Sequence, residues 1–167
     1  MQYQITIQEA IFTLSNLNKQ IDTFNRRLYT NFFGPIRVDG VKIGQATKAE
    51  ANAADLMAYQ NLVTDASTLR QAIAQVNQEN TIDDLTVTYQ LEWLRHSRKL
   101  LANLEQLLNQ QETRVENGVG VVEYGAYNEP LVQETVAQLS KQANALSSKI
   151  DLFNAQTTLT VDLIQDL

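Results

Sequence analysis

The sequence predicts a mainly α fold, an antiparallel long-helix bundle of about four helices with two short β-hairpin inserts. Three observations carry this. Apolar residues recur at alternating spacings of three and four along most of the chain, the pattern of helices packed at shallow angles. Two stretches interrupt that pattern with Asp-Gly or Asn-Gly among alternating apolar residues, a strong hairpin signal. The chain has only two Pro, and each lies at the edge of a helical stretch. A length of 167 residues suits a single helical-bundle domain, 1–167, with hairpin inserts near 34–46 and 113–127 and a tail at 157–167.

The first helix is expected from about Ile5 to Asn31. Ile7, Leu14, Ile21 and Leu28 repeat every heptad, and Ala10, Leu17 and Phe24 fill the alternate seam position. Gly34-Pro35 stops it. Ile36, Val38, Val41 and Ile43 then alternate with charged residues about Asp39-Gly40, which accepts the positive φ angles of a type I′ turn. Strands this short need support from elsewhere. A second helix is expected over roughly Lys48–Asn80, with Thr47 and Glu50 as a capping box. Its seam reads Asp55, Tyr59, Leu62, Ala66, Leu69, Ile73, Val76, and its first part is alanine-rich.

Thr81-Ile82-Asp83-Asp84 reads as a break in which either Asp caps the next helix. That third helix is expected over about Leu85–Glu112. Val87, Leu91, Leu94, Arg98, Leu101 and Leu108 form one stripe, and Leu100, Leu104 and Leu107 a second. A helix apolar on two stripes usually touches two neighbours. It is therefore read as the central helix or as the carrier of an intersubunit face. Arg98 on the first stripe needs a partner, such as Asp55, unless the helix is rotated to bury the second stripe, which is the favoured reading. Asn117-Gly118 among Val115, Val119, Val121 and Val122 marks the second hairpin. Glu129-Pro130 opens the last helix, since Pro is tolerated in a first turn. Val132, Val136, Leu139, Ala143, Leu146, Ile150 and Phe153 are its seam. The tail is a strand or a frayed helix.

Three helices end alike, at Ile21–Asn25, Ile73–Asn77 and Ile150–Asn154, each as Ile, two residues, an apolar residue and Asn. A duplicated helical hairpin fits. So does coincidence among heptads, the more frequent origin of such short similarities.

Composition excludes much chemistry. With no Cys there is no disulfide, thiolate zinc site, iron–sulfur cluster or cysteine nucleophile, and one His cannot build a His-rich metal site. A net charge of −6 argues against nucleic acid as the main partner. No apolar run is long enough to span a membrane as a helix. Met1-Gln2-Tyr3-Gln4 lacks the features of a secretory signal, so a cytoplasmic or virion location is expected. Gln and Asn are as numerous as all charged residues together and lie largely off the seams.

Ile7-Gln8-Glu9-Ala10-Ile11 with Leu17, Ile21, Arg27-Leu28 and Asn31, then Leu69-Arg70-Gln71-Ala72-Ile73 with Val76-Asn77 and Asn80, recur in a known pattern. Leu85-Thr86-Val87 through Leu94-Arg95 and Leu100-Leu101, and Leu139-Ser140-Lys141 with Leu146, Lys149-Ile150 and Asn154, continue it. This order of segments resembles the DIP1984 family of small helical bacterial and phage-borne proteins, some of them labelled septicolysin-like. The resemblance covers most of the chain. It departs at the Gly34–Gly44 hairpin, where the family has an acidic, proline-containing loop, and at Asn154-Ala155-Gln156, where the family usually has Asn-Trp-Thr. The resemblance implies an antiparallel helical bundle that self-associates, and it supplies no catalytic residue.

No residue is assigned to catalysis, to a cofactor or to a metal. Arg95-His96-Ser97-Arg98-Lys99 is the one basic cluster; a solvated helix face with salt bridges to Glu92 and Glu105 outweighs an anion contact. His96 has no nucleophile and orienting acid in a triad pattern. Asp83-Asp84 fits no calcium loop, and Gly118-Val119-Gly120 no dinucleotide fingerprint. Glu9, Glu50, Glu92 and Glu134 lack the Glu-x-x-His pairing of di-iron bundles. Interface candidates are the aromatic group Tyr29, Phe32 and Phe33, which alternatively plugs the bundle end, and the hairpin residues Ile36, Val38, Val41 and Ile43. Leu100, Leu104 and Leu107 on the third helix and Val119 and Val121 in the second insert complete the set. The expected function is that of a non-enzymatic, self-assembling structural protein. Its partner is a second copy of itself, in a homo-oligomer or in a larger particle such as a phage virion, with no cofactor and no nucleic acid. A membrane-active, septicolysin-like protein is the alternative, although the hairpin strands are far shorter than a membrane strand needs. An uncharacterised enzyme is the second alternative.

Overall fold

A computed structural model describes residues 1–32, 37–38, 40–42, 45–109, 113–115, 122–124 and 126–164. In chain order the elements are β1 (Gln2–Thr6), α1 (Ile7–Phe32), β2 (Arg37–Val38), β3 (Val41–Lys42), α2 (Gln45–Glu79), β4 (Thr81–Ile82) and β5 (Leu85–Thr86). Then follow α3 (Val87–Leu108), β6 (Thr113–Val115), β7 (Val122–Tyr124), α4 (Glu129–Gln156) and β8 (Thr158–Asp162). The protein is mainly α, with four long helices and short hairpins at both expected inserts, β2–β3 and β6–β7. Gly40 takes φ +79°, the positive angle its turn requires. Two compact units make up the chain: unit 1 is Met1–Glu79 with Phe153–Leu167, and unit 2 is Asn80–Leu152.

In unit 1 the first helix starts later than its heptads alone suggest. Tyr3 and Ile5 alternate with Gln2, Gln4 and Thr6, and Gln2–Thr6 pairs antiparallel with β8 from Gln2↔Asp162 to Thr6↔Thr158. The tail is therefore a strand. Thr6 then caps α1 in a capping box: the Glu9 N–H donates to Thr6 Oγ1 at 3.2 Å, and the Thr6 N–H and hydroxyl each donate to Glu9 Oε2 at 2.8 Å. Those bonds, the backbone one foremost, hold the Glu9 carboxyl below its ordinary pKa. The expected seams of α1 and α2 both face inward. Ile7, Ala10 and Leu17 are buried with Leu62, Ala66 and Leu69, and Leu159, Val161 and Leu163 close the same cluster. Phe24 stacks on Tyr59, ring centroids 4.6 Å apart, which sets the end of α1 beside the first half of α2 and makes the pair antiparallel. Asp55 on that seam is exposed. Helix α2 begins at Gln45, so Thr47 lies inside it and is not its N-cap. Asp65, 1% exposed, accepts the Ile164 N–H at 2.8 Å and ties the end of the ribbon to α2.

In unit 2, Asp83 and Asp84 cap nothing. They are the two central residues of a tight turn, at φ 51° and 65°, between β4 and β5, which pair as Ile82↔Leu85 and Thr81↔Thr86. Helix α3 is capped by Thr86, whose hydroxyl accepts the Tyr89 N–H at 3.3 Å, and α4 by Asn128, which accepts the Leu131 N–H at 3.2 Å. Pro130 sits in the first turn of α4, as expected. Left-handed φ costs a non-glycine residue about 1 kcal/mol, while Asp83 keeps its carboxylate on Lys149 at 2.5 Å. Asp84→Gly is therefore expected to stabilise the protein by about 0.5–1 kcal/mol, read as a higher urea midpoint at unchanged m.

The seam of α3 differs in phase from the expectation. Val87, Gln90, Leu94 and Ser97 are buried and Leu101, Leu104 and Leu108 half-buried, a continuous three-four series. Leu91 and Arg98 are exposed, and Arg98 donates to Ser147 Oγ at 3.0 Å rather than pairing across a core with Asp55. Full rotation onto the second stripe is not seen either, since Leu100 is exposed. Two polar residues hold core positions. Gln90 is satisfied there by donating to the Ile82 carbonyl at 3.0 Å. Leu94 packs with Ala143, Leu146 and Ile150 of α4, whose seam is as expected.

The two halves of the chain are built alike. β1–α1–(β2–β3)–α2–β4 is followed by β5–α3–(β6–β7)–α4–β8. Ile7 and Val87, each 0% exposed, follow a capping Thr, and their N–H groups donate to the carbonyls of Thr157 at 2.9 Å and Asn80 at 3.0 Å. Those acceptors end α4 and α2, which match as Leu62/Leu139, Ala66/Ala143, Leu69/Leu146, Ile73/Ile150, Asn77/Asn154 and Thr81/Thr158. The endings at Ile73 and Ile150 are thus structurally equivalent. Ile21–Asn25, which lies inside α1 and precedes no strand, shares only the heptad.

Candidate interaction surface

The equivalence of the halves breaks at the end of β4, and that break shapes the surface of unit 2. In unit 1, β8 runs on past Leu159, and Val161 and the following Leu163 are buried in one cluster with Leu62, Ala66 and Leu69 of α2. In unit 2 the strand equivalent to β8 is β4, and the Asp83-Asp84 turn ends it after Ile82. The α4 residues matching the covered face, Leu139, Gln142, Ala143 and Leu146, receive no such ribbon. A groove of about 410 Å³ opens there between α3 and α4. Leu85, Tyr89 and Trp93 form one wall, Gln142, Ala145 and Lys149 the other.

The apolar wall belongs to a stripe at helical spacing. Tyr89, Trp93, His96, Leu100 and Leu107 fall on one side of α3, about a third of a turn from the buried seam. Tyr89 is 53% and Leu100 47% exposed, while Trp93 is half-buried against the Leu94 cluster. Glu92 and Lys99, one heptad apart, flank this stripe on its solvent edge. Arg95 donates to Glu92 at 2.6 Å and His96 lies 3.7 Å from the same carboxylate; these are exposed contacts of small energetic weight. The basic cluster is therefore a solvated face with Glu92 as partner, apart from Ser97, which is buried in the seam. The Lys149–Asp83 pair at the groove's end is also exposed.

Of the interface candidates read from the sequence, Leu100 lies exposed on this stripe. Leu107 is half-buried there, its carbonyl accepting the Tyr127 hydroxyl at 3.4 Å, and Leu104 is half-buried toward the seam. Tyr29 and Phe32 fall in α1, Val38 in β2 and Val41 in β3, with side chains outside the described residues. Phe33, Ile36, Ile43, Val119 and Val121 lie outside the described residues altogether. Tyr89, Trp93 and Gln142 are additions. The spacing Tyr89–Trp93–His96–Leu100 is the signal that finds the first two; nothing local marks Gln142.

No family model, curated protein or solved structure matches the chain. Among the described residues, no three His, Asp or Glu side chains lie together as a metal site would need. Nor is any helix there long and apolar enough to cross a membrane.

Proposed function

We propose that the protein is a non-enzymatic structural protein that assembles with copies of itself, as a homo-oligomer or within a larger particle such as a phage virion, and that it resides in the cytoplasm or in the virion. The observation that carries this reading is the balance of apolar groups in unit 2. Among its described residues only Val87, Leu94, Ala143, Leu146 and Ile150 are buried apolar side chains, while Leu85, Tyr89, Leu91, Leu100, Leu131 and Leu152 are exposed. A core that small stabilises a unit by only a few kcal/mol, and apolar surface left bare beside it favours association. What the family resemblance implies runs the same way. Light scattering on the size-fractionated protein at micromolar concentration is expected to give a multiple of 18.8 kDa. A clean 18.8 kDa monomer overturns the reading.

A further inference from the structure

We propose that the bare face of unit 2 is the seat of an isologous homodimer, in which α3 of one copy lies antiparallel against α3 of a second copy about a two-fold axis near His96. The proposal deepens, and rests on, the self-assembly reading.

Three observations select a second copy as the occupant. The groove beside the stripe lies where the matching place in unit 1 holds the terminal ribbon, whose Val161 and Leu163 cluster there with Leu62, Ala66 and Leu69 of α2. Its size suits a dimer. Helix α3 has 22 residues, so it is about 33 Å long, and two helices side by side present on the order of 700 Å², close to the ~800 Å² each partner gives a standard interface. Its charges are self-complementary. With antiparallel helices and an axis near His96, Glu92 of each copy faces Lys99 of the other, so two opposite-charge pairs flank the apolar stripe. Trp93 then meets the region of Leu100 in the second copy, and Tyr89 the region of Leu104. Two helical hairpins joined in this way form a four-helix bundle. Trp93 is an aromatic anchor of the kind that concentrates binding energy.

Sedimentation or light scattering over a dilution series tests this on the full chain. Wild-type protein is expected to form even-numbered assemblies. Leu100→Glu, at an exposed position, raises the dissociation constant about a hundredfold with helicity retained by circular dichroism. Ile11→Glu, exposed on α1, leaves it unchanged. Trp93 is the only Trp, so its emission shifts to the red on dilution of wild type. Glu92→Lys and Lys99→Glu each weaken association, and the double variant restores it. A monomeric wild type overturns both this proposal and self-assembly. An oligomer unmoved by Leu100→Glu, or equally disrupted by Ile11→Glu, overturns this face while self-assembly stands. Failure of the double variant to restore association overturns the antiparallel register.

Discussion

Leu69→Ala is expected to destabilise the protein by about 3 kcal/mol, lowering its unfolding temperature by roughly 10 °C. Leu69 is 0% exposed, in one buried cluster with Ile7 and Ala10 of α1 and with Val161 and Leu163 of the terminal ribbon. Removing its terminal carbons leaves a cavity those neighbours cannot collapse into. Leu146 occupies the matching position in the second half, 8% exposed, with the groove open beside it. Leu146→Ala is expected to cost less, about 2 kcal/mol, when measured on dilute protein. The two variants, compared by urea denaturation, isolate what the ribbon contributes. Equal losses would show that Val161 and Leu163 add nothing to the packing of α2.

Much of that enclosure was legible in the residues. Heptads report which side of a helix is buried, and the seams of α1, α2 and α4 follow theirs. The seam of α3 does not, because Gln90 and Ser97 occupy core positions while Leu91 and Leu100 lie in solvent. A polar residue is admitted to a seam when a local acceptor meets it, as the Ile82 carbonyl meets Gln90, and spacing carries no trace of that acceptor. Strand β1 was hidden for a different reason. Its partner is at the other end of the chain, and a strand of five residues owes its existence to that pairing. The β4–β5 turn uses Asp-Asp where Asn-Gly or Asp-Gly would have announced it. As for the interaction face, Leu100 is visible as a second stripe, but the groove is not, since it lies between two helices where one strand stops and its counterpart continues.

That difference between the halves leads to the last expectation, a circular permutant. β1 and β8 stand to α1 and α4 as β5 and β4 stand to α3 and α2, down to the matching hydrogen bonds at Ile7 and Val87. In one place the pair is joined by a two-residue turn, and in the other Met1 and Leu163 lie side by side, with the Leu163 N–H donating to the Met1 carbonyl at 2.8 Å and the Met1 amino group donating to the Leu163 carbonyl. The connection at Asp83-Asp84 is thus a covalent convenience, exposed and at positive φ in both residues. A chain joined from Ile164 to Met1 through a short Gly-Ser segment and opened between Asp83 and Asp84 is expected to fold with the parent's helicity, because exposed turn tips tolerate new ends. Opening instead between Asp65 and Ala66, both buried in α2, is expected to abolish cooperative unfolding, since it breaks the helix and the Ile164 bond together. Circular dichroism with thermal melting separates the outcomes. If the Asp83–Asp84 permutant fails to fold, the β4–β5 turn is doing something its counterpart does not, and the two halves are alike in topology without being interchangeable in folding.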